Sequence, residues 1–411
     1  MNVNYILLLF SLIIIFGYIA EIIFEKFNIS DTLMLIIAGF IIGPNVLNYI
    51  KPDSLGMLAP FFTTFTLLFL MFEGSLKLDL KSFFKGFSSG VFVAIFYYSL
   101  SVAGLTAIFY LFGIDLTFSL MLGFSLGGVS TSFTLPILNQ LNPGKEIRSI
   151  MIVEAALTDV LAIVFALAMI DLKISGVFRF HDVIETLISL FAVAGLIGII
   201  FGALWIYFEE KFVKDKDYMV TIGYVVLLYF LTEYLGGNGA IAALFFGMTL
   251  TNAIKLKLFI RKIIKGENVE KEDMKRIVSS REREFYGEIS FFLKTFFFVY
   301  IGILLDLSEM KPIYIGATAA VAILIIRQSG NFYGFMKKAF KKGDLFLINS
   351  LFARGIAPVA IVLMAIEKGV LKDRTVISSV YFIITATIIF STVMIFFYKK
   401  KYMKSEKEGG K

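Results

Sequence analysis

The residue best suited to chemistry in this sequence is Asp159, which lies at the centre of an apolar segment, 147–171, long enough to cross a bilayer. An ionisable group deep in a membrane costs at least about 2.5–3.5 kcal/mol, so it usually has a function. A buried carboxylate can hold either a proton or a small cation, and competition between them is the minimum chemistry of exchange. We therefore predict that Asp159 binds Na⁺ or another monovalent cation in alternation with H⁺.

A second carboxylate, Glu154, precedes Asp159 in the same segment. The spacing turns a helix through roughly 140°, so the two carboxylates do not share a face. Glu154 needs a partner of its own, and Arg354 is a permanently charged residue inside another apolar segment. We predict a structural ion pair between Glu154 and Arg354.

Two further charges leave alternatives open. Glu73 ends an apolar segment, where it lines the cytoplasmic approach to the ion site or is solvated at the interface. Lys294 lies a third of the way into its segment, where it neutralises a carboxylate of the site or extends to the cytoplasmic surface. Arg327 lies close to the end of a segment and is predicted to be interfacial.

The composition is that of an integral membrane protein. Of 411 residues, 58% are hydrophobic and 17% charged, with a mean hydropathy of +0.85. Soluble domains have about 45–50% apolar and about 25% charged residues. The sequence has no cysteine and a single histidine, His181, which excludes disulfides and Cys or His metal clusters. It also has no GxxxxGK[ST] loop, so ATP is not the expected energy source, and no cofactor is predicted.

Apolar runs separated by polar breaks predict an all-α polytopic protein of about thirteen membrane helices. The first run has no basic region before it and no cleavage site, so it is interpreted as a membrane helix. The predicted spans are 4–24, 31–50, 56–75, 87–113, 115–138, 147–171, 183–208, 218–236, 238–254, 286–307, 312–330, 344–366 and 375–398.

Most of the 39 Lys and Arg residues fall in alternate loops and in the C-terminal tail. The positive-inside rule then predicts an external N-terminus and a cytoplasmic C-terminus in the cell membrane. The basic excess faces anionic lipid, and nucleic acid is not an expected partner. The longest loop, 255–285, interleaves basic and apolar residues, which fits an interfacial helix or a solvated linker.

The spans divide into two halves of six that one connecting span inverts relative to each other. We predict a first half over 1–173, a connector over 174–217, a second half over 218–400 and a basic tail over 401–411.

The fifth span of each half is interrupted, by Gly127 to Pro136 in the first half and by Ala353 to Pro358 in the second. Interrupted helices at corresponding positions of two repeats indicate a transport site, because they expose backbone polar groups at mid-membrane. Besides Asp159 and Glu73, the predicted ion-binding and proton-binding residues are Thr158, Ser130 and Thr131.

These segments, taken in order, resemble the monovalent cation:proton antiporter superfamily, in particular sodium/proton exchangers of the NhaP/NapA type. The resemblance covers nearly the whole chain. It rests on residues 68–80, Ser130-Thr131-Ser132 with Pro136, Glu154 to Asp159, 297–307 and 354–358. It implies a homodimer in which a core domain moves against a dimerising domain, with two unwound helices crossing beside Asp159. It also implies the Glu154–Arg354 pair.

The sequence departs from the family pattern at the site. Thr158 precedes Asp159 where relatives usually have Asn or Asp, and Ser-Thr-Ser stands where electroneutral members often have Thr-Asp-Pro. With one acid fewer, we predict electroneutral exchange of Na⁺ or Li⁺ for H⁺. The alternatives are a K⁺/H⁺ antiporter of the same fold or, from another class, an ion-gated channel or sensor. A membrane-embedded enzyme is not expected, because the sequence has no His or Cys cluster.

Overall fold

The structure is a computed structural model, and it describes residues 3–27, 31–50, 59–76, 80–176, 180–212, 218–254, 278–329 and 342–403. Within these ranges the chain forms helices and connecting loops, without strands. The α-helices are α1 (Val3–Phe27), α2 (Asp31–Ile42), α3 (Ala59–Ser75), α4 (Leu80–Leu111), α5 (Leu116–Gly127), α6 (Thr131–Leu141), α7 (Lys145–Ser175), α8 (Phe180–Phe212), α9 (Tyr218–Tyr234), α10 (Gly239–Thr251), α11 (Ser280–Leu304), α12 (Met310–Ser329), α13 (Lys342–Ser350), α14 (Ile356–Glu367) and α15 (Arg374–Tyr398), the last continued by a π-helix, Lys399–Met403.

The helices correspond to the predicted spans. Within the described residues, seven helical segments are long and apolar enough to cross a membrane, and six shorter apolar helices accompany them. Each of the thirteen predicted spans overlaps one of these segments, which confirms the predicted all-helical polytopic class. Helices are expected because a backbone in hydrocarbon must satisfy its own polar groups. Residues 255–277 lie outside the described residues, so the interfacial helix in that loop stays a prediction.

Apolar side chains divide the packing into two clusters. The larger cluster is built mainly on helices α4–α7 and α12–α15, which we call the core bundle, and it also takes in side chains of α2, α3, α10 and α11. The smaller cluster is built mainly on α3 and α8–α11, which we call the flanking bundle, and it takes in two valines of α7. In α3, Leu70 and Met71 join the larger cluster while Phe69 and Phe72 join the smaller. The two bundles therefore meet along the helices that contribute to both clusters, which are α3, α7, α10 and α11.

Small residues bring α2 and α11 into close contact. A Cβ atom on Gly39 would lie 2.0 Å from the carbonyl oxygen of Val299, and one on Gly302 would lie 2.1 Å from that of Ile36. Only glycine permits this approach, as at other close crossings of membrane helices. The contact fixes the register of the two helices and determines which polar side chains meet between them.

Candidate ion-binding site

The first chain break separates α5 from α6. Helix α5 ends at Gly127, Gly128 is extended, and α6 begins at Thr131. The hydroxyl of Ser130 caps α6 by accepting a hydrogen bond from its first turn (3.3 Å). A Cβ on Gly128 would lie 3.0 Å from the carbonyl oxygen of Thr158, so glycine lets α7 pass close behind the break.

The second break separates α13, which ends at Ser350, from α14, which begins at Ile356. The two breaks cross each other, because the backbone N–H of Ser130 donates to the carbonyl oxygen of Ala353 (2.8 Å). A Cβ on Gly355 would lie 2.0 Å from the Ser130 hydroxyl, so the crossing requires glycine there. Both interruptions predicted from the sequence are therefore present, and they meet at one point.

Asp159 lies on α7 beside this crossing and is 9% exposed. The Thr131 hydroxyl donates to its Oδ2 atom (2.9 Å), so the carboxylate faces the N-terminus of α6, where the helix dipole favours negative charge. The Thr158 hydroxyl accepts from the N–H of Val129 (3.0 Å) and donates to the carbonyl oxygen of Ala155 (3.3 Å). The predicted residues Asp159, Thr158, Thr131 and Ser130 thus lie together.

Arg354 occupies the other end of the first break. Its Nη1 atom donates to the carbonyl oxygens of Gly127 (3.0 Å) and Gly128, and Nη2 donates to the Ser101 hydroxyl (3.2 Å). The last carbonyls of a helix lack intrahelical partners and attract positive charge, which explains the position of this arginine. The predicted Glu154–Arg354 ion pair is wrong, because the guanidinium is bound to the broken helix instead.

Two crossed helix breaks beside a buried carboxylate characterise an ion transporter, and a comparison with known families decides which kind. The family model described as "Sodium/hydrogen exchanger, transmembrane" matches residues 11–401. The chain belongs to the sodium/hydrogen exchanger family. This family consists of transporters and not of enzymes.

Two curated relatives of this exchanger come from Methanocaldococcus jannaschii. "Na(+)/H(+) antiporter 1" is 24% identical over 408 residues, which cover 94% of this chain and 89% of the relative. "Probable Na(+)/H(+) antiporter 3" is 23% identical over 329 residues, which cover 77% and 78%.

Solved structures of the sodium proton antiporter MjNhaP1 from the same organism share the fold. A structure at pH 8 matches with a TM-score of 0.68 at 19% identity and covers 96% of this chain and 94% of that one. An electron-microscopy map matches with a TM-score of 0.69 at 18% identity and covers 97% and 96%. At these identities the likeness demonstrates the fold alone.

In this exchanger the partner of Glu154 is Arg327. The guanidinium holds both carboxylate oxygens, with Nη2 at 2.9 Å from Oε2, and both residues are buried. Arg327 also donates to the carbonyl oxygen of Ile348 from Nε (3.0 Å) and Nη2 (2.7 Å), and it lies 4.2 Å from the centre of the Tyr97 ring. The prediction of an interfacial Arg327 is also wrong, because the last turn of α12 packs against α4, α7 and α13 within the core bundle and buries its side chain.

Lys294 is neither a counter-charge of the ion site nor a surface lysine. Its ammonium group binds the carboxylate of Asp31 at the start of α2, and the two side chains are 7% and 3% exposed. Lys294 therefore neither neutralises Asp159 nor extends to the cytoplasmic surface, as the two predicted alternatives had it, because the close approach of α2 and α11 buries it beside Asp31. Sequence analysis missed Asp31, since an acid at the first residue of a span looks interfacial.

Glu73 lies near the end of α3, buried rather than solvated. Both of its carboxylate oxygens accept a hydrogen bond from the Asn139 amide (3.3 Å each). Asn139 in turn accepts from Arg148, whose Nη1 donates to the carbonyl oxygen of Leu138 (3.1 Å). Eight residues of α6, roughly 12 Å of helix, separate Thr131 from Asn139, so Glu73 faces the opposite end of α6 from Asp159.

Proposed function

We propose that this exchanger moves Na⁺ or Li⁺ against H⁺ in a 1:1 ratio, with Asp159 holding the cation and the proton in turn. The observation that carries the proposal is the buried Asp159 carboxylate at the crossing of two broken helices. Its hydrogen-bond donor is a hydroxyl, and within the described part of the chain no lysine or arginine forms an ion pair with it. A carboxylate without a fixed cation needs a mobile one, which Na⁺ or a proton supplies.

The oxygens around Asp159 suit a hard monovalent cation. We propose that Asp159 and the Thr131 hydroxyl bind the ion directly, with the Ser130 hydroxyl beside them. The Ser130 and Ser132 hydroxyls are 3.0 Å apart, so this side of the crossing is lined by oxygen atoms. Hard cations prefer such ligands. Thr158 already bonds two backbone groups, so its proposed role is to hold the break and not to bind the ion.

The 1:1 ratio follows from the charges. Of the adjacent residues Thr158 and Asp159, only Asp159 is an acid. A single carboxylate neutralises one proton or one monovalent cation, so each half of the cycle moves the same charge. Lys294 would add a second titrating group if it faced this carboxylate. Its bond to Asp31 supports the neutral cycle.

The test is exchange in proteoliposomes with imposed Na⁺, Li⁺ and K⁺ gradients and a fluorescent reporter of internal pH. We expect Na⁺ and Li⁺ to drive proton movement and Asp159→Asn to abolish it, because an amide cannot bind and release a proton. The control is Asp171→Asn on the same helix, where the carboxylate is exposed and accepts from Lys368 (3.3 Å). The control should exchange normally, and both variants should elute as folded protein on gel filtration.

Other outcomes would support the alternatives. Proton movement driven by K⁺ but not by Na⁺ or Li⁺ would make the chain a K⁺/H⁺ antiporter. Cation flux that runs down its own gradient and never drives protons uphill would indicate a channel. Full exchange by Asp159→Asn across a range of pH would overturn the role of Asp159.

We further propose a homodimer with an external N-terminus, a cytoplasmic C-terminus and two inverted halves, 1–173 and 218–400. The distribution of Lys and Arg between alternate loops supports the orientation, and the family resemblance supports the dimer and the repeats. Since the sequence has no cysteine, a single cysteine introduced at either end reports its side of the membrane by labelling with an impermeant maleimide. Native mass spectrometry in mild detergent measures the oligomer.

A further inference from the structure

Helix α6 links the ion site to the boundary between the two bundles. Its first residue, Thr131, donates to Asp159 (2.9 Å), and near its last turn Asn139 donates to Glu73 on α3. Both contacts lie on the same eleven-residue helix, in which Pro136 removes one backbone hydrogen bond between them. A displacement of the Asn139 end relative to α3 is therefore passed along this helix toward the Asp159 end.

Asn139 is oriented by charges on both sides. Its amide nitrogen donates to the Glu73 carboxylate, and its amide oxygen accepts from the Arg148 guanidinium. Asn139 thus connects a buried acid on α3 with a buried arginine on α7, and these two residues are 7% and 6% exposed. A side-chain amide is suited to this position because it carries a donor and an acceptor on one planar group.

The contact joins the core bundle to α3, a helix that packs against both bundles. Leu135 of α6 and Met71 of α3 belong to the apolar cluster of the core bundle, whereas Phe72 of α3 belongs to that of the flanking bundle. Next to Glu73, a Cβ on Gly74 would lie 2.8 Å from the Leu135 side chain, so the two helices touch at this point. If α3 stays with the flanking bundle while the core bundle moves, this contact opens.

We propose that Asn139 is a positioning residue of the exchange cycle: its amide, held by Arg148, binds Glu73 and keeps the end of α6 against α3. The inference rests on the proposed exchange at Asp159 and adds a step to it, since the bond between Asn139 and Glu73 breaks and re-forms with each cycle. Its loss changes how fast the bundles move and leaves the affinity of the Asp159 site intact.

The first arm of the test measures the α3–α6 contact without transport. The double variant Gly74→Cys/Leu135→Cys places the only two cysteines of the chain across the contact, and removing the Leu135 side chain relieves its overlap with the new Cβ. We expect a disulfide to form readily under mild oxidation. Adding Asn139→Leu should slow cross-linking by about tenfold, as the loss of a charge-assisted hydrogen bond implies. An unchanged rate would overturn the proposal.

The matched control is Gln140→Leu. Gln140 is the next residue of α6, and its side chain accepts a hydrogen bond from Lys399 (2.7 Å), whereas that of Asn139 donates to Glu73 on α3. Cross-linking in this variant should proceed at the original rate, and equal slowing by both substitutions would reduce Asn139 to a general support of the helix. If Asn139→Leu does not fold, Asn139→Ser removes the same amide with a smaller polar residue and is subject to the same comparison.

The second arm measures exchange. In Asn139→Leu we expect a changed maximal rate with a KM for Na⁺ within about twofold of the original, because the interaction with the bound ion is unaltered. The cross-linked double cysteine variant should be inactive and should recover when the disulfide is reduced. A raised KM with an unchanged maximal rate would overturn the proposal. If the unaltered protein shows no exchange, the proposed function fails, while the cross-linking arm still decides whether Asn139 holds the contact.

Discussion

Glu154 and Asp159 lie less than two turns apart on α7, yet their surroundings differ in kind. Glu154 is held through both oxygens by Arg327, which also binds the backbone of Ile348. Asp159 accepts a hydrogen bond from the Thr131 hydroxyl. A carboxylate with a permanent cation is structural, because removing that cation would leave a buried charge. A carboxylate with a neutral partner can take up and release a mobile cation, which is what an exchanger requires.

The largest expected effect is on the free energy of unfolding, when the ion pair of Glu154 is broken. Glu154→Gln or Arg327→Met alone should lower the free energy of unfolding by about 3–5 kcal/mol, because each leaves the other charge buried without its partner. The double substitution should cost clearly less than the sum of the single losses. Unfolding in detergent, followed by intrinsic fluorescence over a denaturant series, measures all four proteins.

The control is the same double-mutant cycle, with Arg354→Met in place of Arg327→Met. Arg354 donates to Gly127, Gly128 and Ser101, so its coupling to Glu154 should be smaller than that of Arg327. Equal coupling energies in the two cycles would mean that Glu154 is shared between the arginines and that the assignment of its partner is wrong.

A second, smaller effect concerns the pair between Asp31 and Lys294, which lies outside the core bundle. Lys294→Met should destabilise the protein by about 2–4 kcal/mol, because Asp31 loses its charged partner while keeping the Thr32 N–H (2.7 Å). The ratio of Na⁺ to H⁺ should not change, because Lys294 does not face Asp159. A changed ratio in this variant would show that Lys294 takes part in coupling.

Much of the fold could be predicted because membrane helices are defined by local composition. Apolar length located the thirteen spans, and glycine with a following proline located both breaks, since backbone interruptions are specified by the residues that form them. The crossing of these breaks beside Asp159 was an implication of the family resemblance, and the bond between Ser130 and Ala353 now gives it an atomic basis.

The ionic partners could not be predicted, because they depend on the rotation of helices about their axes. Position along the segments favoured Arg354 over Arg327 as the partner of Glu154, but it does not show which of the two side chains faces α7. Asp31 begins α2 and was indistinguishable from an interfacial acid until the glycine contact with α11 was known. Asn139 carries no charge, so ranking residues by the cost of burying a charge could not find it.

The smallest expected effect on stability comes from an exposed ion pair, that of Asp115 with Lys173, in contrast to the buried pair of Glu154. Asp115 precedes α5 outside the apolar helices, and its hydrogen bond with Lys173 (3.1 Å) lowers the pKa of the carboxyl group. A carboxyl group whose pKa is lowered by folding stabilises the folded state fully above its unfolded pKa of about 3.9. This stabilisation is lost as the pH falls through the pKa of the folded state. Because both side chains are exposed, Lys173→Met should cost at most ~1 kcal/mol at pH 7.

Thermal unfolding of the unaltered protein and of Lys173→Met at pH 7 and pH 3 checks this surface pair. The difference between the two proteins should shrink at the lower pH, where the carboxylate becomes protonated. A difference that grows as the pH falls would contradict the sign. An effect as large as that of Glu154→Gln would remove the distinction between buried and exposed pairs.

The most direct test of a single exchanging carboxylate is Na⁺ uptake into proteoliposomes under a pH gradient, with the membrane potential fixed by K⁺ and valinomycin. If Asp159 carries either one cation or one proton, no net charge crosses in a cycle. Both the initial rate and the final Na⁺ gradient should then be the same at zero and at inside-negative potential. A final Na⁺ gradient that shifts with the potential would contradict 1:1 exchange and require a second titrating group at the site.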